Sequence, residues 1–185
     1  MAEEKKLPTQ PSLVGKKVFL RPMTAEDAAN YHLWFIQSEP QSMSVRPMPF
    51  YTFEEAADRF KKAEKSDKMQ RFTVVAKESK RPVGAVTFFD YNYLNRSAEL
   101  GILIDPDERE NGFGKDAFKV LIKYLFNYRD LNKVYCETAS YNSGAIALVE
   151  ALDFKRDGVL RKHHYYNGDY YDKYVYSLLR FELDF

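Results

Sequence analysis

Only one cysteine, Cys136, occurs in the 185-residue chain, so no internal disulfide can staple the fold, and the count fits a reducing compartment. No segment approaches the ~20 consecutive apolar residues that a membrane span requires. The opening stretch MAEEKKLPTQPSL is polar, charged and proline-bearing, without the apolar core of a secretory signal. Neither sign of charge is in excess: 28 Lys and Arg face 27 Asp and Glu, a formal net charge of +1. That balance gives no support for a broad nucleic-acid surface and leaves only a local basic patch open. No internal repeat or low-complexity tract appears. The expectation is a cytoplasmic protein with no membrane and no nucleic-acid partner. Residues 1–12 read as a flexible tail and 13–185 as one domain, large enough to bury a core without a metal.

What is present is a clear alternation of elements. KKVFLRP reads as a first strand stopped by a proline, and Thr24 then caps a helix with Glu26 and Asp27 in its first turn. Ser38 to Tyr51, with three prolines and no periodicity, reads as a loop. Thr52 caps a second helix, FEEAADRFKKAEK. RFTVVAK and PVGAVTFFD read as a hairpin, and SAELGILID extends it as an antiparallel meander. In KDAFKVLIKYLFNY, Phe118, Leu121, Ile122 and Leu125 make a buried stripe, while Lys119, Lys123 and Asn127 stay wet. KVYCET is a further strand in which Cys136 reads as a buried thiol rather than a nucleophile. Asn142 opens a short helix, and two tyrosine-rich runs pair across Asn167-Gly168. The order is β-α-α-β-β-β-α-β-α-β-β. It predicts an α+β domain whose mixed, mostly antiparallel sheet of about six to seven strands carries helices on both faces.

Glycine is scarce, with eight in the chain, yet Gly112 and Gly114 lie one residue apart in PDERENGFGKDAF, between a strand and a helix. Amides at such a helix start suit an anion such as phosphate. A P-loop needs a glycine where Arg109 stands and a hydroxyl where Asp116 stands, so that reading fails. A dinucleotide fingerprint is met by Gly112-Phe113-Gly114-Lys115-Asp116-Ala117, with Glu137 at a plausible distance for a ribose contact. That motif wants a tight turn directly after a parallel strand, whereas here a longer loop follows an antiparallel meander.

The third reading rests on a resemblance. Arg109-x-x-Gly112-x-Gly114 resembles the R/Q-x-x-G-x-G/A signature of the GNAT N-acetyltransferase superfamily, at the same strand–loop–helix junction. Asn142, Ala145 and Phe154 are similar to that family's N-x-x-A…G-F segment. NRSAELGILID and the last hairpin resemble the branch holding ribosomal-protein N-terminal acetyltransferases and spermidine acetyltransferases, and the similarity runs from Lys16 to the end. The resemblance implies acetyl-CoA as cosubstrate, no metal, and acetyl transfer to a small-molecule amine or a peptide N-terminus. It implies that Asn111, Gly112, Phe113, Gly114 and Lys115, with Arg109, cradle the pyrophosphate. Leu103 and Ile104, on a strand that splays from its neighbour, would flank pantetheine and thioester, and Asn142 would contact the pantetheine arm. For Leu103 and Ile104 core packing is the plain alternative, for Asn142 a helix cap, and for Arg109 solvated loop charge.

Two positions depart from the family pattern. Val149 stands where many relatives place a tyrosine as general acid, and Asp153 replaces the glycine before Phe154. N-terminal acetyltransferases of this branch often lack that tyrosine. For the base, the resemblance points to Glu99, whose plain alternative is a strand-edge glutamate. His163 and His164 are neighbours on a strand and face opposite ways, a poor metal pair. Tyr165, Tyr166, Tyr170 and Tyr171 are expected to pack across the hairpin, or one of them to line the acceptor cleft. A homodimer through the tyrosine-rich strands is also expected.

Overall fold

The computed structural model describes residues 13–38, 50–63 and 66–184. The expected tail and most of the loop from Ser38 to Tyr51 lie outside these residues.

The first strand, β1 (Val18–Pro22), ends at its proline, and helix α1 (Ala25–Gln37) begins one turn later. Thr24 caps that helix, and Asp27 closes a capping box by accepting from the Thr24 amide. Asp27 also takes both terminal nitrogens of Arg21, so the turn from strand to helix is held by a buried carboxylate. Thr52 and Glu55 form the same box at α2 (Phe53–Lys62). Then β2 (Gln70–Ala76), β3 (Pro82–Asn92) and β4 (Ser97–Ile104) make the antiparallel meander. Next come α3 (Phe113–Tyr128), β5 (Lys133–Ala139), α4 (Ser143–Glu150), β6 (Lys155–Tyr166) and β7 (Asp169–Leu179).

The strands form one seven-stranded sheet in the order β1-β2-β3-β4-β5-β7-β6. Every pairing is antiparallel except that of β4 with β5. This is the mostly antiparallel α+β arrangement expected from the element order. Strand alternation then assigns the two faces. Phe72 and Val74 of β2, Val86 and Phe88 of β3, and Ala98 and Leu100 of β4 point into the main core with Phe118, Leu121, Ile122 and Leu125 of α3. The opposite face carries Ala85, which packs with Met23, Ala28 and Tyr31 at the start and along α1. Helices therefore cover both faces, and the stripe expected on α3 is fully buried.

The last hairpin turns at Asn167-Gly168, both at positive φ, and Tyr165 faces Tyr170 across it with ring centroids 5.2 Å apart. Tyr141 joins Tyr166 and Tyr171 in the same aromatic group. Among the described residues no helix is long and apolar enough to cross a membrane, and no cluster of three metal-ligating side chains occurs.

Candidate active site

The parallel pairing of β4 and β5 is short. Ser97, Ala98 and Glu99 register with Lys133, Val134 and Tyr135, and there the ladder stops. Both strands continue, β4 to Ile104 and β5 to Ala139, so they part like a V. Within the V, Gly101 to Ile104 are only half-buried, although strands pair or flank them elsewhere. The opening runs into a groove of about 840 Å³ that passes through the sheet from the α1 side to the α3 and α4 side. Leu103, Ile104, Cys136 and Thr138 are among the residues that line it.

At the wide end of the V sits the start of α3. Gly112 is the N-cap at φ +77°, a left-handed conformation that costs glycine little and other residues roughly 1–2 kcal/mol. The helix therefore begins at Phe113, two residues earlier than the amphipathic pattern alone suggests, and Gly114 falls inside its first turn. A Cβ on Gly114 would meet the Ile102 and Ile104 side chains at 3.4 and 3.5 Å, so this helix start lies directly on the inner wall of β4. With no side-chain cap, the first amides of α3 are left to whatever lies in the groove.

The loop before the helix is braced from distant parts of the chain. The Lys17 ammonium donates to the Asn111 carbonyl at 2.8 Å. Asp116 accepts from the backbone amides of Lys16, Lys17 and Val18 at 3.1, 2.7 and 3.0 Å, tying the first turn of α3 to β1. Arg109 donates to Ser38 Oγ at 2.6 Å, linking the loop to the end of α1. Arg109 is thus an anchored residue rather than a free loop charge.

The acetyltransferase (GNAT) domain profile matches residues 17–155. The spermidine N(1)-acetyltransferase of Vibrio cholerae is 32% identical over 131 residues, 70% of this chain and 75% of that protein. A Bacillus subtilis protein named for ribosomal N-acetylation is 32% identical over 99 residues, 54% of each chain. Among solved structures, the Vibrio cholerae spermidine N-acetyltransferase in complex with CoA and spermine superposes with a TM-score of 0.81. It is 26% identical, over 90% of this chain and 97% of that one. The chain belongs to the GNAT acetyltransferase family.

Most residues singled out from the sequence meet in this GNAT groove: Glu99, Leu103, Ile104, Arg109, Gly112, Phe113, Gly114, Lys115 and Asn142 all line it. Asn111 does not. Its amide side chain turns to Glu108 and its carbonyl is taken by Lys17. Asn142 is the N-cap of α4, accepting from the Ala145 amide at 3.1 Å, so the helix-cap role holds whatever else it does.

Glu99 is not a strand-edge glutamate. It is 4% exposed and is the last residue of β4 that registers with β5, at the apex of the V. Period-two alternation puts it opposite Ala98 and Leu100, on the face that α1 covers. Across the apex, burial pushes the Cys136 thiol up to about 12, and the charges of Glu99 and Glu137 add to the shift. Cys136 is therefore a neutral thiol at neutral pH, as its buried position in KVYCET suggests. Val149 is 3% exposed and lines the groove beside it, contributing an apolar wall and no proton donor.

Several contributors escape sequence reading. Lys17 and Asp116 act across about a hundred positions of chain. Thr138 is 3% exposed, and its hydroxyl finds no hydrogen-bond partner among the described residues. A buried, unsatisfied hydroxyl on the wall of a groove fits a chain of amide groups such as pantetheine, because a ligand hydrogen bond would recover its desolvation cost.

Proposed function

We propose that this protein transfers an acetyl group directly from acetyl-CoA to a primary amine held on the α1 side of the sheet. The reading rests on one observation above all: the V between β4 and β5 opens onto an uncapped, glycine-initiated helix start in the same groove. A pyrophosphate suits the first amides of α3, with Arg109 and Lys115 supplying positive charge. The apolar side chains of Leu103 and Ile104 and the hydroxyl of Thr138 suit pantetheine, and Asn142 lines the same groove. When bound, acetyl-CoA supplies a thioester as acyl donor.

The chain's own residues divide the remaining work. The amine must lose a proton before it can attack, and Glu99 is the carboxylate at the apex, acting directly or through water. The N–C bond forms as the C–S bond breaks. No tyrosine stands at position 149 to protonate the departing sulfur. A CoA thiol with a pKa of about 8.5, by analogy with cysteine, leaves as thiolate with little help. The acceptor classes in view are a protein N-terminal α-amine, a polyamine and an amino sugar. The spermidine acetyltransferase relatives support the polyamine class. Val149 also favours a second reading, a CoA-binding regulatory or structural module without turnover.

Gly114→Asp tests the cosubstrate site. A Cβ at this position makes only ordinary contact with Ile102 and Ile104, and an aspartate in the first turn suits the helix. Circular dichroism checks that the variant is folded before its charge is set against the pyrophosphate. Calorimetry should show CoA affinity reduced at least about tenfold, or ~1.4 kcal/mol. Equal affinity in both proteins would remove the assignment, and tighter NAD than CoA binding would restore the dinucleotide reading. The homodimer is proposed on the exposed Val159, Leu160, Tyr165 and Tyr170 of the last hairpin. Light scattering that gives a monomer mass across micromolar concentrations would refute it.

A further inference from the structure

The groove is lined by a guanidinium, that of Arg71, which no carboxylate pairs with among the described residues. Arg71 of β2 is half-buried, on the same face of the sheet as Thr87 and Gly101. Its Nε–H donates to Thr87 Oγ1 at 3.2 Å, and its guanidinium lies 4.8 Å from the centre of the Tyr31 ring. These two contacts fix the plane of the guanidinium and leave both terminal nitrogens without a hydrogen bond or ion pair among the described residues. Tyr31 cannot serve as counter-ion, since burial raises its phenol and the Arg71 charge only partly offsets that.

A half-buried guanidinium with an open fork is costly unless an anion completes it, and a carboxylate matches the fork in bidentate geometry. The fork is also close to the chemistry. Thr87 registers with Gly101, and neighbouring strands lie about 4.8 Å apart, so the guanidinium above Thr87 stands roughly one strand from β4. Gly101 itself carries no side chain, and the Phe89 ring lies over it, 3.2 Å from where a Cβ would stand. Lys68, Asp90 and Glu99 also line the groove.

Resting on the acetyltransferase reading above, we infer that the acceptor is an amine that also carries a carboxylate within a few bonds, as amino acids and short acidic peptides do, and that Arg71 binds that carboxylate. A polyamine has no group for this fork.

The test compares acceptors of matched size with and without a carboxylate: glycine with glycinamide, and Asp-Ala amide with Asn-Ala amide, alongside spermidine. Each rate is expressed per neutral amine, because amidation lowers the α-amine pKa. The free amino acid and the dipeptide separate the two sources of the carboxylate. Thiol release from acetyl-CoA should favour the acid of a pair over its amide. Arg71→Gln should reduce that kcat/KM ratio at least tenfold through KM, and Arg71→Lys should restore part of it. Acetyl-CoA affinity by calorimetry should stay the same in all three proteins. Spermidine outpacing every carboxylate-bearing amine, or an acid-to-amide ratio untouched by Arg71→Gln, would overturn the inference while leaving an acetyltransferase in place. Acetyl-CoA binding without turnover on any amine would instead overturn the enzymatic reading and take this one with it.

Discussion

Replacing Glu99 with Gln separates a proton-accepting carboxylate from a structural one. Gln keeps the volume at the apex of the V and removes the charge. The site of the change lies five residues along β4 from Ile104, about 16 Å at strand rise, so the pyrophosphate end should be untouched and acetyl-CoA affinity preserved. The expected loss is in turnover. A lysine-like amine has a pKa of about 10.4, so at pH 7 only about one molecule in 2,500 is neutral. Loss of a general base costs about 10² to 10⁴ in rate, and an effect near 10², roughly 2.7 kcal/mol of barrier, is expected here. As pH rises, solution deprotonates the amine, so the variant should gain about tenfold per unit and close on wild type below the amine pKa. Steady-state thiol release, from neutral pH to about one unit below that pKa, reads this directly. A profile superimposing on wild type, or a deficit of equal size at every pH, would refute the base assignment.

Two further outcomes follow from the same geometry. Cys136, with its thiol near 12, holds about one thiolate in 10⁵ at pH 7. Iodoacetamide should leave the folded protein unlabelled and modify it rapidly in guanidinium, and fast labelling of the native chain would contradict the packing at the apex. Asp27→Asn should destabilise by about 1–3 kcal/mol, lowering the melting temperature by about 2–4 °C per kcal/mol. Burial alone would raise the Asp27 pKa, but its bonds from Arg21 and Thr24 outweigh that and hold it below the usual aspartate range. A depressed carboxylate contributes its stability above its unfolded pKa of about 3.9 and loses it as pH falls through the folded value. Melting curves of wild type and variant should therefore diverge at neutral pH and converge in acid, and a constant offset would disprove the linkage.

Local signals carried the fold a long way. Thr24 and Thr52 announce their helices because a capping box is written within four residues, and Asn167-Gly168 announces a hairpin because its turn type demands positive φ. The α3 stripe is legible for the same reason, since one face of a helix repeats within a single element. The glycine loop was legible as the start of a helix, but its supports were not. Asp116 looks like an ordinary first-turn acid until β1 delivers three amides to it, and nothing near Lys17 points to Asn111. Glu99 shows the limit most plainly. Alternation assigns it to one face of β4, but only α1, from far earlier in the chain, decides that this face is dry. Arg71 reads as a polar strand residue for the same reason: its open fork matters only because a groove passes in front of it.

The central claim is that this groove moves an acetyl group from CoA to nitrogen, and one measurement bears on it most directly. The purified full chain is incubated with acetyl-CoA and the amine panel, free thiol is followed continuously, and each acceptor is weighed by mass spectrometry. The account predicts thiol release that depends on both enzyme and amine, matched one for one by acceptor carrying a single added acetyl group on nitrogen. Tight acetyl-CoA binding with no amine-dependent thiol release, or thiol release without any acetylated acceptor, would contradict it.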